Sequence, residues 1–275
     1  MRESLGWYKD QWLDIDKILI SANNRGLKFG DGIFETILIK KNKPILFDEH
    51  LKRLEKSSKL LDINLKINEL TLKKLINDGI RKLNLKKDQF ASVRINLSRG
   101  ANKGRTLKVN STLERKDSDN LWLEFFRIKP NFNPISVFIS QTEKRNEFSL
   151  ISKCKTFSYN QAIQVLKEAD EKCFDDSILL NTSGELCCGS TFNLLIKRNN
   201  QWITPRKESG CLEGVMVSKA LKLKIAKEEL IPPEFQNDDI IVAINSLSCR
   251  QIYQVDDLKI KPKFDPIYFW DLLYS

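Results

Sequence analysis

The chain has 275 residues, 41% of them hydrophobic and 30% charged. That is long enough for one large or two ordinary domains and too apolar for wholesale disorder. No run approaches the ~20 consecutive apolar residues that span a bilayer. The opening MRESLGWYKDQWLDIDK lacks the apolar stretch of a secretory signal, so a soluble, cytoplasmic protein is expected, without a membrane partner. The net charge of +10 comes from 46 Lys and Arg against 36 Asp and Glu. These charges are interleaved (KDQWLDIDK, DEHLKRLEKSSK, VLKEADEK), and neither zinc-finger spacing nor an RNA-binding aromatic signature is present. The excess therefore predicts attraction of small anions rather than a nucleic-acid partner.

In chain order, GIFETILIK reads as a β-rich strand, and KPILF leads into a helix with Asp48 as its expected N-cap. Leu51, Leu54, Ser58 and Leu61 recur there at helical spacing. Leu72, Leu75, Ile76, Ile80 and Leu83 mark a second amphipathic helix. ASVRINL alternates strictly, with Ala91, Val93, Ile95 and Leu97 on one face, and RGANKGR is a loop. Between the strands LWLEFF and ISVFIS, the run RIKPNFNP carries two prolines and two asparagines. It divides the chain into a smaller N-terminal α/β domain (1–127), a linker (128–134) and a larger C-terminal domain (135–275). The second half reads as a helix near 161–172, strands SILLN and FNLLIK, a helix after Gly214, and a buried strand IIVAI. The alternation predicts a two-domain α/β fold of mixed α+β character.

The six cysteines follow no CxxC spacing, and His50 is the lone histidine. No metal site is expected, reduced thiols are the default, and His50 reads as a packing or capping residue. Proton transfer then falls to Lys, Asp, Glu, Tyr, Cys or a cofactor. Lys155, in KCKTFSYNQA, lies between an apolar segment and a helix start, where loss of solvation turns an amine into a nucleophile. In ESGCLEGVMVSKAL, Gly214 opens a helix, so the amides of Val215 and Met216 lie where orphan N–H groups attract an anion. Arg53 offers a fork-like donor. Taken singly, Gly214 reads equally as a turn glycine and Arg53 as a surface charge.

The segments NNRGLKFGDGIFETILI, DEHLKRLEKS, SRGANKGR, KTFSY, LLNTSGELCCGSTFNLLI and TPRKESGCLEGVM resemble, in that order, the class IV pyridoxal-phosphate enzymes. These include branched-chain and D-amino acid aminotransferases and 4-amino-4-deoxychorismate lyases. The resemblance runs from about Asn24 to Ser248, and FGDGIFET and the H-x-x-R-L helix are its most specific parts. It implies the two-domain fold of the D-amino acid aminotransferase-like enzymes, a site between the domains, pyridoxal 5′-phosphate as cofactor and a homodimer. Lys155 matches the lysine that holds the cofactor and then shuttles protons. Arg53, the amides of Val215 and Met216, and Ser246 match phosphate contacts. Tyr159 falls where some members place a tyrosine near the cofactor's phenolic oxygen. Arg105 falls close to an arginine of the substrate-carboxylate trap; Arg99 either joins it in steering the anion or braces the loop before Gly100. Thr36 either assists proton handling or is an ordinary strand threonine.

One position departs from the pattern. The family places a glutamate five residues before the asparagine of its x-N-L-F segment, against the pyridine nitrogen; here that position is Cys188. A thiol is a poorer partner than a carboxylate, which keeps the nitrogen protonated and strengthens the electron sink. Cys188 contributes as thiol or thiolate, or a neighbour such as Glu185 replaces it. Within the family, G-V-M at the helix start, Leu38 after F-E-T, and Leu107 where D-amino acid aminotransferases carry a histidine all point to the lyase. That reaction eliminates pyruvate to give 4-aminobenzoate for folate biosynthesis, and aromatisation drives it, so a weaker sink is tolerated. A class IV aminotransferase, or a non-catalytic member of the family, are the alternatives.

Overall fold

The computed structural model describes residues 3–86, 88–101, 106–109, 121–261 and 264–274. It is a mixed α/β protein that divides into two units, Met1–Lys129 with Lys155–Ser158, and Pro130–Cys154 with Tyr159–Ser275.

The first unit holds β1 (Ser4–Tyr8), β2 (Gln11–Leu13), α1 (Arg25–Phe29), β3 (Gly32–Lys40), β4 (Lys43–Pro44), α2 (Phe47–Leu60), α3 (Glu69–Leu83), β5 (Phe90–Ser98) and β6 (Leu121–Ile128). Its six strands form an antiparallel sheet in the order β2-β1-β6-β5-β3-β4. The period-2 pattern sorts the two faces. Ile33, Ile37 and Ile39 of β3, Ala91, Val93, Ile95 and Leu97 of β5, and Leu123 and Phe125 of β6 enter one core with Leu51, Leu54, Leu72, Ile76, Ile80 and Leu83 of the two long helices. Phe34, Thr36, Arg94, Asn96, Trp122 and Glu124 alternate with these residues and occupy the other face.

The helix over 47–60 begins two residues earlier than Asp48 as N-cap requires. The N-cap is Leu46, in left-handed conformation at φ 52°, with no side-chain cap. Asp48 and Glu49 instead sit in the first turn, where their charges complement the orphan N–H groups. α3 has a capping asparagine, Asn68, whose Oδ1 accepts from Thr71 N at 2.8 Å.

The second unit comprises β7 (Ile135–Ile139), α4 (Asn160–Glu171), β8 (Asp176–Leu180), β9 (Leu186–Gly189), β10 (Asn193–Arg198), β11 (Gln201–Pro205), α5 (Val215–Lys222), β12 (Ala226–Glu229), β13 (Ile240–Asn245), β14 (Ser248–Val255), β15 (Leu258–Lys259) and α6 (Pro266–Leu272). The strand path β10-β13-β14-β7-β8-β9 returns to its start, because β9 also pairs with β10 through Cys188 and Asn193. That one pair closes a ring of six strands around Ile135, Val137, Ile178, Leu194, Ile196, Ile241 and Ile252.

Two boundaries differ from the sequence reading. Residues 130–134 do not form a free linker: Asn131 bridges Ser248, and Phe132 packs edge-on against Trp270 at 5.0 Å. Lys155 does not belong to the C-terminal body. Phe34 N donates to Lys155 O (2.9 Å) and Phe157 N to Gly32 O (2.9 Å), so 155–158 lies along the start of β3 and joins the first unit. No helix among the described residues is long and apolar enough to cross a membrane.

Gly79 lets α3 approach the sheet, since a Cβ there would collide with the ring of Phe125, itself fully buried. Gly79→Ala, which favours an isolated helix by about 1 kcal/mol, is expected here to destabilise by about 1–3 kcal/mol through overpacking. Chemical denaturation checks the sign, and Phe125→Leu in the same chain should recover most of the loss.

Candidate active site

β3 carries a charged residue at an inward position, between Ile33 and Ile37. Glu35 is 1% exposed, and an ionised carboxylate there needs compensation. α2, packed on β3, supplies it from positions 50 and 53, one helical turn apart. Arg53 Nε donates to Glu35 Oε1 at 2.7 Å and Arg53 Nη2 to Oε2 at 2.7 Å, a bidentate pair. His50 Nδ1 lies 2.7 Å from the same Oε2. Burial raises the Glu35 pKa, but Arg53's charge and hydrogen bonds, with His50's, outweigh it and bring it to about 2. Burial dominates at His50 and lowers its pKa, with the Arg53 and Lys155 charges adding to that against Glu35. His50 is thus a neutral ring whose Nδ1–H donates to the carboxylate. It is a packing residue in position and a hydrogen-bond donor in chemistry.

The opposite face of the same strand holds the lysine. With its backbone pinned beside β3, Lys155 places Nζ 4.5 Å from the centroid of the Phe34 ring. The Arg94 guanidinium stacks on that ring at 3.5 Å. Arg94 Nε donates to Asn96 Oδ1 (2.7 Å), Asn96 Nδ2 to Glu124 Oε1 (3.1 Å), and Trp122 Nε1 to the same oxygen (2.7 Å). Half-buried Thr36 is the cross-strand partner of Arg94. The face therefore combines an amine, a guanidinium and a hydroxyl over an aromatic floor, suited to an anionic substrate with an electrophilic or amino centre.

Arg99 is committed elsewhere. Its Nε donates to Asp31 Oδ2 (2.8 Å), Nη1 to Asp62 O (2.6 Å) and Nη2 to Leu61 O (2.7 Å). Arg25 Nε shares the same Asp31 oxygen at 2.7 Å. Of its two readings, loop bracing is the one these bonds describe, because each guanidinium nitrogen already has a protein acceptor. Arg105 lies outside the described residues.

In the second unit the pieces gather around Asn193. Between the pairs Leu179–Cys188 and Leu180–Leu186 the register shifts, leaving Cys187 as the extra residue of a β-bulge. A bulge re-aims side chains, and here both Cys187 and Cys188 join Val165, Leu179 and Cys211 in one buried cluster. A hydrogen bond from Cys187 lowers the Cys188 pKa against burial, and the Arg145 charge adds to that while Asp176 opposes it. The neighbouring Cys187 is pushed up by its hydrogen bonds to Cys188 and Cys211 and by burial. Arg145 itself has a buried Nε with no hydrogen-bond partner. No cysteine is in a disulfide. Glu185 does not face solvent as a free turn residue: its carboxylate accepts from Asn181 Nδ2 (3.0 Å), Ser209 Oγ (3.0 Å) and Arg206 Nη2 (3.1 Å). Those bonds fasten it to the turn and leave Cys188 as the group at its own position.

Asn193, paired with Cys188, donates through Nδ2 to Leu212 O at 2.9 Å. A Cβ on Gly214 would strike its Oδ1, so only glycine lets α5 begin here. Gly214 is the N-cap, and no side chain caps the helix. The buried amides of Val215 and Met216 therefore open α5 with the dipole's positive end available to an anion. Ser246 is half-buried in the β13–β14 turn, which Asn245 ties to the β10 approach through Thr191 O at 3.3 Å. Tyr159, in the second unit, is the N-cap residue of α4.

Each unit, taken by itself, carries a group of a kind that pyridoxal phosphate takes. A side-chain-uncapped helix start behind a glycine suits its phosphate, and an amine over an aromatic ring suits its aldehyde. Cys188, where the resemblance implies a carboxylate against the ring nitrogen, is the departure. Among the described residues no cluster of three His, Cys, Asp or Glu is arranged for a metal.

Sequence reasoning had not singled out Glu35, Arg94, Asn96 or Glu124. A signal existed for the first three. Glu35 breaks an apolar period-2 pattern, which marks a buried charge, and Arg94 and Asn96 share the polar face that the same period defines.

The family model for class IV amino-transferases matches residues 32–255. Aminodeoxychorismate lyase of Bacillus subtilis is 25% identical over 211 residues, 74% of this chain and 68% of that one. A probable branched-chain-amino-acid aminotransferase of Thermotoga maritima is 24% identical over 229 residues, 83% and 75% of the two chains. The fold is shared with a hypothetical aminotransferase of Mycobacterium tuberculosis in its PLP-bound form, at a TM-score of 0.81 and 18% identity over 98% of this chain and 97% of that one.

The buried cluster makes stability acid-sensitive in two windows. His50 is held neutral, so the unfolded chain takes up more protons once pH falls below 6.5, and stability declines. Glu35 contributes stability above its ordinary 4.5 that is lost as pH falls towards about 2, on the order of 3 kcal/mol. Urea denaturation at a series of pH values should show both, and Glu35→Gln should flatten the lower window while the upper one persists or deepens, because the carboxylate that raises the His50 pKa is gone.

Proposed function

The chain belongs to the class IV amino-transferase family, whose cofactor is pyridoxal 5′-phosphate, and within it we propose that this protein is a 4-amino-4-deoxychorismate lyase. It would release pyruvate from aminodeoxychorismate and leave 4-aminobenzoate, as a cytoplasmic homodimer serving folate biosynthesis. The observation that carries the reading is Cys188. It stands where the family's carboxylate partners the pyridine nitrogen, while the nearby Glu185 is fastened to its own turn.

When bound, the cofactor withdraws electron density from the substrate carbon that loses a proton. Arg53, the Val215 and Met216 amides and Ser246 bind its phosphate, and Tyr159 serves its phenolic oxygen. Lys155 would hold the cofactor and would take the proton from the ring carbon that bears the substrate amine. Phe34 keeps the lysine over an aromatic surface, and Thr36 on the same face steadies the proton in transit. As the proton leaves, the bond between the adjacent ring carbon and the ether oxygen breaks, the ring aromatises, and the departing enolpyruvate takes up a proton, from the Lys155 ammonium or from water, to become pyruvate. Aromatisation supplies driving force that amino-group transfer lacks, so this reaction tolerates a thiol at position 188. Arg94, with Arg105, suits the two substrate carboxylates, and the +10 charge steers such an anion inward.

A class IV aminotransferase is the second reading. It is favoured by the likeness to the Thermotoga maritima protein and by Arg94, a guanidinium beside the lysine that would equally receive an acidic 2-oxo acid. Purified protein with pyridoxal phosphate, aminodeoxychorismate and no 2-oxo acid should release 4-aminobenzoate and pyruvate in equal amounts, and Lys155→Ala should abolish both. Strict dependence on a 2-oxo acid would instead identify an aminotransferase. Absence of any lysine-bound cofactor absorbance would point to a non-catalytic member. Cys188→Glu should raise amino-group transfer relative to elimination, and an unchanged ratio would remove the argument from Cys188.

A further inference from the structure

We propose that Glu35 and His50 are positioning residues for anion recognition: they fix the plane of the Arg53 guanidinium so that it discriminates a phosphorylated cofactor from its dephospho form. The inference rests on the reading of Arg53 as a phosphate ligand and adds what makes that arginine selective.

The geometry is specific. Three N–H bonds of 2.7 Å converge on one carboxylate, two from Arg53 and one from His50. An ionised carboxylate is an acceptor only, so it satisfies all three donors at once. Two bonds to one planar fork fix both the direction and the rotation of the guanidinium, which a single bond would not. His50 Nδ1 fixes the carboxylate in turn by occupying Oε2 from the side of α2. All three groups lie on two rigid elements, β3 and α2, with side-chain exposures of 1% for Glu35, 2% for His50 and 11% for Arg53. The Glu35 carboxylate is taken up by the Arg53 fork and the His50 ring, so Glu35 and His50 act through Arg53 rather than on the substrate.

Two effects oppose each other when Glu35 becomes glutamine. Loss of the negative charge leaves Arg53 with more positive field for a phosphate. The amide, however, turns an N–H donor towards the Arg53 fork or towards His50, so at least one of the three bonds becomes a donor–donor contact. It also leaves a largely buried cation without its counter-charge. The guanidinium then tilts out of plane, and a dianion that needs aligned donors loses more than charge alone restores.

The test uses two probes that share the aldehyde and differ only in the phosphate: pyridoxal 5′-phosphate and pyridoxal. Their dissociation constants are read from the absorbance of the lysine-bound chromophore, and the ratio is the measure of phosphate recognition. A merely structural defect would weaken both probes alike and leave the ratio unchanged. Glu35→Gln and His50→Ala should each lower the ratio by about tenfold or more while pyridoxal still binds. His50→Asn, which keeps an N–H donor near the Nδ1 position, should retain it. If Glu35→Gln does not fold, Glu35→Asp is read in the same way, because it keeps the charge but withdraws the carboxylate from the fork.

Arg53→Ala separates the two levels. If it leaves the ratio intact, the phosphate reading of Arg53 itself fails. If it collapses the ratio but Glu35→Gln and His50→Ala do not, the phosphate reading stands and the positioning inference is overturned. A ratio that rises in Glu35→Gln would overturn it as well, by showing that charge outweighs alignment.

Discussion

A carboxylate in an apolar core joins the first sheet to its covering helix, and much of the first unit follows from its needs. Glu35 sits where the strand's period demands an isoleucine or valine. Only the paired guanidinium and imidazole of α2 make that burial tolerable. The helix cannot rotate or slide along β3 without breaking bonds to a charge that has no access to water. The register of α2 on the sheet is therefore set by polarity as well as by Leu51 and Leu54. With the helix fixed from below, Phe34 and Thr36 are presented on the upper face of the same strand, next to the amine of Lys155. One strand thus performs two jobs by alternation, with odd positions anchoring the helix and even positions presenting Phe34 and Thr36 beside Lys155 and Arg94.

The second unit solves its own problem with a different device. Its ring of strands closes through Cys188 and Asn193, and the bulge at Cys187 lets two adjacent cysteines turn towards one cluster. Asn193 also seats the glycine that starts α5. The side-chain-uncapped helix start and the thiol at the family's carboxylate position are consequently two ends of one asparagine's neighbourhood. A substitution at Cys188 would change the chemistry of this neighbourhood at a side chain, while the backbone of the α5 start is set by Asn193 and Gly214.

How much of this was legible beforehand depended on the kind of signal. Strands with a clean period of 2, such as those around Val93 and Ile37, and helices with a clean apolar stripe, such as Leu72–Leu83, were readable because one buried face dictates their pattern. The terminal hairpin of β1 and β2, the long β14 and the closing helix α6 were not, since short or two-sided elements leave no such stripe. The cap of α2 was misplaced because Leu46 adopts a left-handed conformation that no local residue preference announces. Among site residues, Lys155, Arg53 and Gly214 could be located by motif. The bulge that re-aims Cys187, the anchoring of Glu185 and the bracing bonds of Arg99 depend on partners far along the chain, and spacing carries no record of those.

The four residues from Lys155 to Ser158 leave one body to lie against the strand of another. In a chain that stopped short of this segment, Phe34 N and Gly32 O would lack the partners that Lys155 and Phe157 give them along β3. Such an edge is a template for pairing with a foreign strand. The segment that covers it is the one that bears the amine. Covering that edge and placing the Lys155 amine are therefore done by the same segment: a first unit that lacks its lysine is also one whose edge is still open.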